Sequence, residues 1–515
     1  MFKNEPLTDF SNQKNIDAVL SALETFEVKR ISPPGIISAP IINGKEIKTS
    51  QTEQSLDPSD QRISIGTVHY SDISHAETAL SVARAFHSTW DATPVKTRAE
   101  ILRKTAKIIR DNKHDWNALI IREAGKTFGE ADGETAEAID FCEYYAEEAE
   151  KMTAFLTMEI PGEENTYFYQ SRGVAVVISP WNFPFAISLG MVVASLVTGN
   201  TVIFKPSEQT SIIGSELIKL LYEAGIPHQA LHFLPGIGET LGAHLVKSKD
   251  VDLICFTGSK DVGLWIIKEA GETKPGQANV KKVIAEMGGK NAIIIDENID
   301  HDSAVKGVLA SAFGFAGQKC SACSRLIIVG NQYESFLQKL SAACLSLIGG
   351  KAFLPASYIS PVIDRESQTR LFKKIEEAKK DVKVLCEGEK LSEEICYVPP
   401  VIFRDTPKDH FLMKDELFGP VIAATNVSSF DEALNVANDT NYALTGGLYS
   451  IDETHLERAK REYKVGNLYL NRKITGAFVK RQPFGGFKMS GVGSKAGGKD
   501  YLLQFVEPRT VSMAV

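Results

Sequence analysis

Apolar residues change their period partway along the chain. They recur at helical spacing over 75–90 and 98–116, and 132–151 forms a third helical stretch rich in Ala and Glu. Residues 1–60 read as irregular, because Pro33, Pro34, Pro40 and Pro58 interrupt any long element. From residue 174 the period shortens. Continuous β-branched runs appear at 174–179 (VAVVIS), 201–205 (TVIFK), 231–235 (LHFLP), 252–258 (DLICFTG) and 282–288 (KVIAEMG), with stretches between them long enough for crossover helices. Such runs predict parallel strands buried on both faces, hence an α/β fold. The series continues at 291–296, 325–329, 421–425, 447–450 and 466–471, which predicts two α/β units meeting near residue 289. Residues 159–172 (EIPGEENTYFYQSR) join a Pro-Gly turn to alternating aromatics and predict a β-hairpin, while 501–515 predicts an extended strand.

Composition narrows the classes. The 515 residues are 43% hydrophobic and 24% charged, which suits a folded chain of two or three domains and excludes disorder. The net charge of −8 is spread without long runs of one sign, which argues against a nucleic-acid groove. A small anionic ligand is still allowed, because backbone N–H groups can bind one. No apolar run reaches the roughly 18 residues of a membrane-spanning helix. The N-terminus MFKNEPLTDFSNQKN carries Glu5 and Asp9 and has no Arg before Arg30, so neither a secretory signal nor a transit peptide is expected. Seven scattered cysteines point to a reducing compartment, read as the cytoplasm.

Several segments could carry chemistry. Cys320 sits in GQKCSACS (317–324), where small neighbours would let a substrate approach a thiolate; an arbitrary cysteine is more often buried and inert. Cys320 and Cys323 form a CxxC, but no second pair or suitably spaced His completes a zinc site. Glu286 ends the apolar run of AEMGGKN (285–291), where a carboxylate would face the ligand crevice of an α/β sheet; it could also be a solvated strand-end acid. PWNFPF (180–185) is a rigid loop in which Asn182 offers an amide donor for an oxyanion, or else a packing turn. FTGSKDVG (256–263) follows one strand and opens a helix whose N–H groups can face a pyrophosphate. In FKPSE (204–208), Lys205 and Glu208 could bond ribose hydroxyls, and an acid there disfavours a 2′-phosphate. PGIGETLG (235–242) is only a loose match to a nucleotide loop.

Taken together, PWNFP, FKPSE, FTGS, EMGGKN, GQKC, ELFGP (416–420) and PFGG (483–486) resemble the aldehyde dehydrogenase superfamily, in that family's order over 180–486. NRKITGAFVKRQPFGGFKMSGVGSKAGGKDYLLQF (471–505), GQKCSACSR (317–325) and EAIDFCEYYA (137–146) are similar to its branch that oxidises L-glutamate γ-semialdehyde. Lys499 departs from that branch, which usually has Pro there, and puts tail contacts rather than chemistry in question.

The resemblance implies an aldehyde dehydrogenase-like α/β fold: a Rossmann-type NAD-binding domain (1–158 and 173–288), an α/β catalytic domain (289–486) and a small β oligomerisation flap (159–172 and 487–515). It implies Cys320 as nucleophile, Glu286 as the base for deacylation, and Asn182 with the Cys320 N–H as oxyanion donors. For NAD it implies Lys205 and Glu208 on the adenine-side ribose, Gly258 and Ser259 at the pyrophosphate, Glu416 on the nicotinamide ribose and Phe418 lining its pocket. For the substrate it implies Ser321, Gly476 and Ala477 on the α-carboxylate, with Phe185 and Phe484 clamping the aliphatic chain. No metal is implied. The partners implied are a small-molecule substrate, further copies of the chain in a homo-oligomer, and a transient contact with a separate proline dehydrogenase. The length leaves no room for a second catalytic barrel of about 250 residues. Two alternatives stay open: another semialdehyde such as that of succinate, whose distal carboxylate Arg481 would have to anchor, and a binding protein that keeps the fold without the reaction.

Overall fold

A computed structural model of the protein describes residues 2–152, 155–158 and 160–515. Two large sheets carry the architecture. Five parallel strands centre the first, in the spatial order Lys282–Glu286, Leu253–Thr257, Val174–Ile178, Thr201–Lys205 and Leu231–Phe233. The sheet therefore winds outward in both directions from Val174–Ile178. The loops that leave Val174–Ile178 and Leu253–Thr257 diverge at this switch point and open a crevice at the strands' carboxyl ends. Antiparallel strands close both edges: Gly491–Val492 beside Lys282–Glu286, and Ile41–Ile42 beside Leu231–Phe233.

The second sheet runs Lys383–Glu387, Val401–Arg404, Val421–Val427, Cys323–Val329, Asn291–Ile295, Thr445–Tyr449 and Asn467–Leu470, parallel except for its first strand. Every residue of Thr201–Lys205 and Asn291–Ile295 is buried. Helices cover both faces, so the centres of these strands are continuously apolar rather than alternating, with polar residues only at their ends. Among the described residues no helix is long and apolar enough to cross a membrane.

The structure departs from the sequence expectations, or adds to them, in four places. Residues 1–60 are not irregular: Gln13–Ile31 is a helix capped by Asn12, and it buries Val19, Ala22 and Phe26. The prolines follow its end and stop it rather than prevent it. The stretch 98–116 is broken into Val95–Asp111 and Lys113–Ala124 by Asn112 (φ −119°, ψ 30°). A one-residue break barely disturbs apolar spacing, so periodicity hides it. The expected hairpin is present, with Ile160 pairing with Glu163 at the Pro-Gly turn and Phe155–Leu156 pairing antiparallel with Thr166 and Tyr167, while Glu159, where it was expected to begin, lies outside the described residues; what the sequence did not show is that Glu163–Ser171 also pairs antiparallel over nine residues with Val506–Ala514. Finally, not all of 487–515 joins this arm. Gly491–Val492 extends the first sheet, and Tyr501, Leu502 and Phe505 are buried in its core.

Candidate active site

Cys320 lies in the turn that enters the strand Cys323–Val329, and Asn291 holds that turn. The Asn291 amide donates to the carbonyls of Cys320 (2.7 Å) and Ala322 (2.9 Å), and its oxygen accepts from Thr445 N–H (3.0 Å). The Thr445 hydroxyl donates to the Ser321 carbonyl (3.1 Å). A Cβ on Gly289 would come 2.4 Å from the Cys320 carbonyl oxygen, so only glycine lets the two backbones approach this closely. The thiol is partly exposed. Burial pushes its pKa up, and the Glu416 and Glu286 carboxylates add to the rise.

Asn182 follows the carboxyl end of Val174–Ile178, and its Nδ2 donates to the Gln318 carbonyl (3.0 Å) two residues before Cys320. An amide NH₂ has a second hydrogen, which is left for a substrate oxygen. Glu286 ends Lys282–Glu286, and an added Cβ on Gly485 would lie 3.0 Å from its Oε1. Burial raises this carboxyl to about 8, while the Gly486 N–H and the Lys495 ammonium pull the other way. Oε2 has no hydrogen-bond partner among the described residues.

Beside Cys320 lies a cavity of about 560 Å³, lined by Cys320, Ser321, Gly476, Ala477 and Phe484. Gly476 takes a left-handed conformation (φ +74°), a geometry that turns successive N–H groups toward one point. Lys473 approaches the same corner: its Nζ is 3.5 Å from where a Gly476 Cβ would sit. Phe185 is a correction. It is fully buried and stacks on Trp116 (4.2 Å, 11°), so it cannot touch a substrate; Phe183 lines the cavity instead. Sequence reasoning also missed Glu137, which lines the cavity and is raised to about 8 by burial and the nearby Glu134. The available signal was an acid between Ala136 and Ala138 on an otherwise buried helix face.

The residues expected to hold a dinucleotide lie along the carboxyl ends of the first sheet's strands, after Thr201–Lys205 and Leu253–Thr257, with Glu416 docked beside Gly289. Lys205 and Glu208 meet at 3.2 Å, and Glu208 Oε1 accepts the Gly238 N–H (2.6 Å). Gly258 and Ser259 precede the twelve-residue helix Lys260–Gly271, and Ser259 caps it. Glu416 Oε1 accepts the Gly289 N–H (2.8 Å), and an added Cβ on Gly288 would strike the same carboxylate at 2.0 Å. Phe418, at φ +56°, packs edge-on against Trp181. Each carboxylate is fixed through one oxygen and keeps another for a ribose hydroxyl, so the set fits a dinucleotide.

Comparison with known proteins agrees with this geometry. The model of the aldehyde dehydrogenase family matches residues 46–511. The chain is 43% identical over 512 residues to a 1-pyrroline-5-carboxylate dehydrogenase of Geobacillus sp. (strain WCH70), covering 99% of each chain. A crystal structure of 1-pyrroline-5-carboxylate dehydrogenase from Thermus with bound NAD is 41% identical with a TM-score of 0.97, covering 100% of this chain and 99% of that one. Proline utilization A from Bdellovibrio bacteriovorus, inactivated by N-propargylglycine, is 43% identical with the same TM-score of 0.97; the match covers all of this chain and 53% of that longer one. A family match over most of the length, and relatives at this identity from end to end, establish that the chain belongs to the aldehyde dehydrogenase family.

Proposed function

We propose that the protein oxidises L-glutamate γ-semialdehyde, the open form of Δ1-pyrroline-5-carboxylate, to L-glutamate with NAD, a step of proline catabolism. One observation carries the reading. A single cavity sets Cys320 beside an amino-acid-shaped set of contacts: Ser321 and the Gly476–Ala477 turn for a carboxylate, and Glu137 for an ammonium group. Arg481, the anchor a succinate semialdehyde would need, is exposed, and its guanidinium lies over Phe478.

The chain's own groups divide the work. The Cys320 thiol gives up its proton to water, Sγ attacks the aldehyde carbon, and the resulting oxyanion takes hydrogen bonds from the Asn182 amide and the Cys320 N–H. The chemistry supplied by NAD is hydride acceptance, which leaves the Cys320 adduct at the oxidation level of a thioester. Glu286 then takes a proton from water, whose oxygen attacks the thioester carbon and releases Cys320 as the leaving group. Lys205, Glu208, Gly258, Ser259, Glu416 and Phe418 orient the dinucleotide, and the Glu208 carboxylate favours NAD over NADP by repelling a 2′-phosphate.

The same reading assigns 1–158 and 173–288 to cofactor binding and 289–486 to catalysis. Eight of the nine residues of Val506–Ala514 are exposed, including Val511 and Met513, which supports docking of this arm on another copy of the chain. All seven cysteines are free, which fits the cytoplasm, where a separate proline dehydrogenase would supply the substrate by transient contact.

The test is NAD reduction by purified protein and its Cys320→Ala variant, with pyrroline-5-carboxylate and succinate semialdehyde as separate substrates. Strong activity on the first, lost in the variant, is expected. Preference for the second overturns the substrate, and activity that survives in the variant overturns the nucleophile.

A further inference from the structure

Behind the Asn182 loop lies a fully buried ion pair that the reaction above does not use. Lys126 and Glu134 both have side chains at 0% exposure, and Nζ stands 2.6 Å from Oε2, off the angle of a directed hydrogen bond. Two charges are costly to bury for stability alone; apolar residues of similar volume often serve as well or better. What this pair touches gives it a task. Glu134 Oε1 accepts the N–H groups of Phe185 (2.8 Å) and Ala186 (3.1 Å), the first turn of the helix Ala186–Val197 and the end of the loop that carries Asn182. The Lys126 ammonium lies 3.5 Å from the ring centre of Phe183, next to Asn182, and 4.8 Å from that of Phe315. Phe315 and Ala316 sit in the left-handed region (φ +52° each) in the turn that leads to Gln318 and Cys320. Holding non-glycine residues there costs energy that surrounding contacts must offset. The pair therefore touches both segments that meet at the Asn182–Gln318 hydrogen bond, one from each side of the cleft.

We propose that Glu134 and Lys126 are positioning residues for the oxyanion site: Glu134 fixes the Asn182 loop through its backbone, and Lys126 locks that loop to the turn preceding the nucleophile. The proposal rests on the Cys320 and Asn182 roles above, and it makes the two halves of the site a single mechanical unit. The part that matters at Glu134 is an oxygen that accepts two N–H groups. Lys126 keeps that oxygen's carboxylate in place.

The experiment is a set of double variants, which avoid stranding one buried charge. Glu134→Met with Lys126→Met removes the acceptor. Glu134→Gln with Lys126→Met keeps a carbonyl oxygen there. Each is built in wild-type and Asn182→Ala backgrounds, with kcat and KM measured on pyrroline-5-carboxylate and on a short unsubstituted aldehyde; the second substrate keeps the cycle readable if the first is not turned over. In the wild-type background the Met pair should lower kcat roughly ten- to a hundredfold, at or below the roughly 10²–10³ of a lost oxyanion donor because Asn182 is displaced rather than removed, with KM for NAD unchanged. The Gln pair should restore most of that loss. In the Asn182→Ala background the Met pair should cost less than roughly threefold, because residues acting as one unit are not additive. Equal losses in both backgrounds, no loss in the wild-type background, or a Gln pair as impaired as the Met pair would each overturn the proposal.

Discussion

As the proposed base for thioester hydrolysis, Glu286 must be ionised, and its surroundings oppose that. Burial moves the carboxyl from 4.5 to about 8. At that value about one molecule in eleven carries the charge at pH 7 and about ten in eleven at pH 9, so thioester hydrolysis should speed up about tenfold between the two. The sign follows from a raised acid pKa: the active base form gains as pH rises. Cys320, also pushed upward, could add a slope of its own, so the two steps must be separated. Rapid mixing of enzyme, NAD and substrate does this. The first burst of reduced NAD reports acylation, and the slow phase reports hydrolysis. Glu286→Gln should keep the burst while its slow phase becomes weak and flat with pH. Lys495 gives a second handle: its ammonium lowers the Glu286 pKa, so Lys495→Met should move the midpoint of the slow phase to higher pH. A wild-type slow phase that is flat from pH 7 to 9, or a Glu286→Gln slow phase that keeps the wild-type slope, refutes the assignment.

Other perturbations follow from particular contacts. Gly288→Ala places a methyl group 2.0 Å from the Glu416 carboxylate and must displace it, so the KM for NAD should rise at least roughly tenfold, checked against Cys320 alkylation as a probe of an intact nucleophile. Ser321→Ala should weaken use of the amino-acid semialdehyde much more than that of short unsubstituted aldehydes; equal losses on both would remove Ser321 from substrate anchoring. Asn200→Ala should destabilise the fold by about 3 kcal/mol in urea unfolding, since it strands the buried Phe505 carbonyl (2.9 Å) and the N–H groups of Arg172 (2.9 Å) and Gly173 (3.0 Å).

Much of the first sheet is legible one segment at a time. The runs at 174–179 and 201–205 fall on the strands Val174–Ile178 and Thr201–Lys205, because a strand covered on both faces needs apolar residues throughout. Glu286 could be placed at a strand's carboxyl end for the same reason. Phe185 shows where such reading stops. PWNFPF offers two phenylalanines two positions apart, and only the turn into Ala186–Val197 decides that Phe183 faces the cavity while Phe185 goes under Trp116. The local signal at Glu137 could not by itself assign it to the site, because its cavity neighbours Cys320 and Gly476 lie far along the chain.

From sequence alone came the α/β class, the order of the strands along the chain and the short motifs whose resemblance to the aldehyde dehydrogenase family points to Cys320, Glu286 and the proposed dinucleotide contacts. These depend on patterns within a few residues, where burial dictates period and a loop dictates its own Gly and Pro. Tertiary structure alone decided the rest: the pairing of Glu163–Ser171 with Val506–Ala514, the Asn182–Gln318 contact, and the burial of Lys126 against Glu134, Phe183 and Phe315. Those contacts join segments far apart in the chain, and their free energy comes from desolvation and close packing that no local stretch contains.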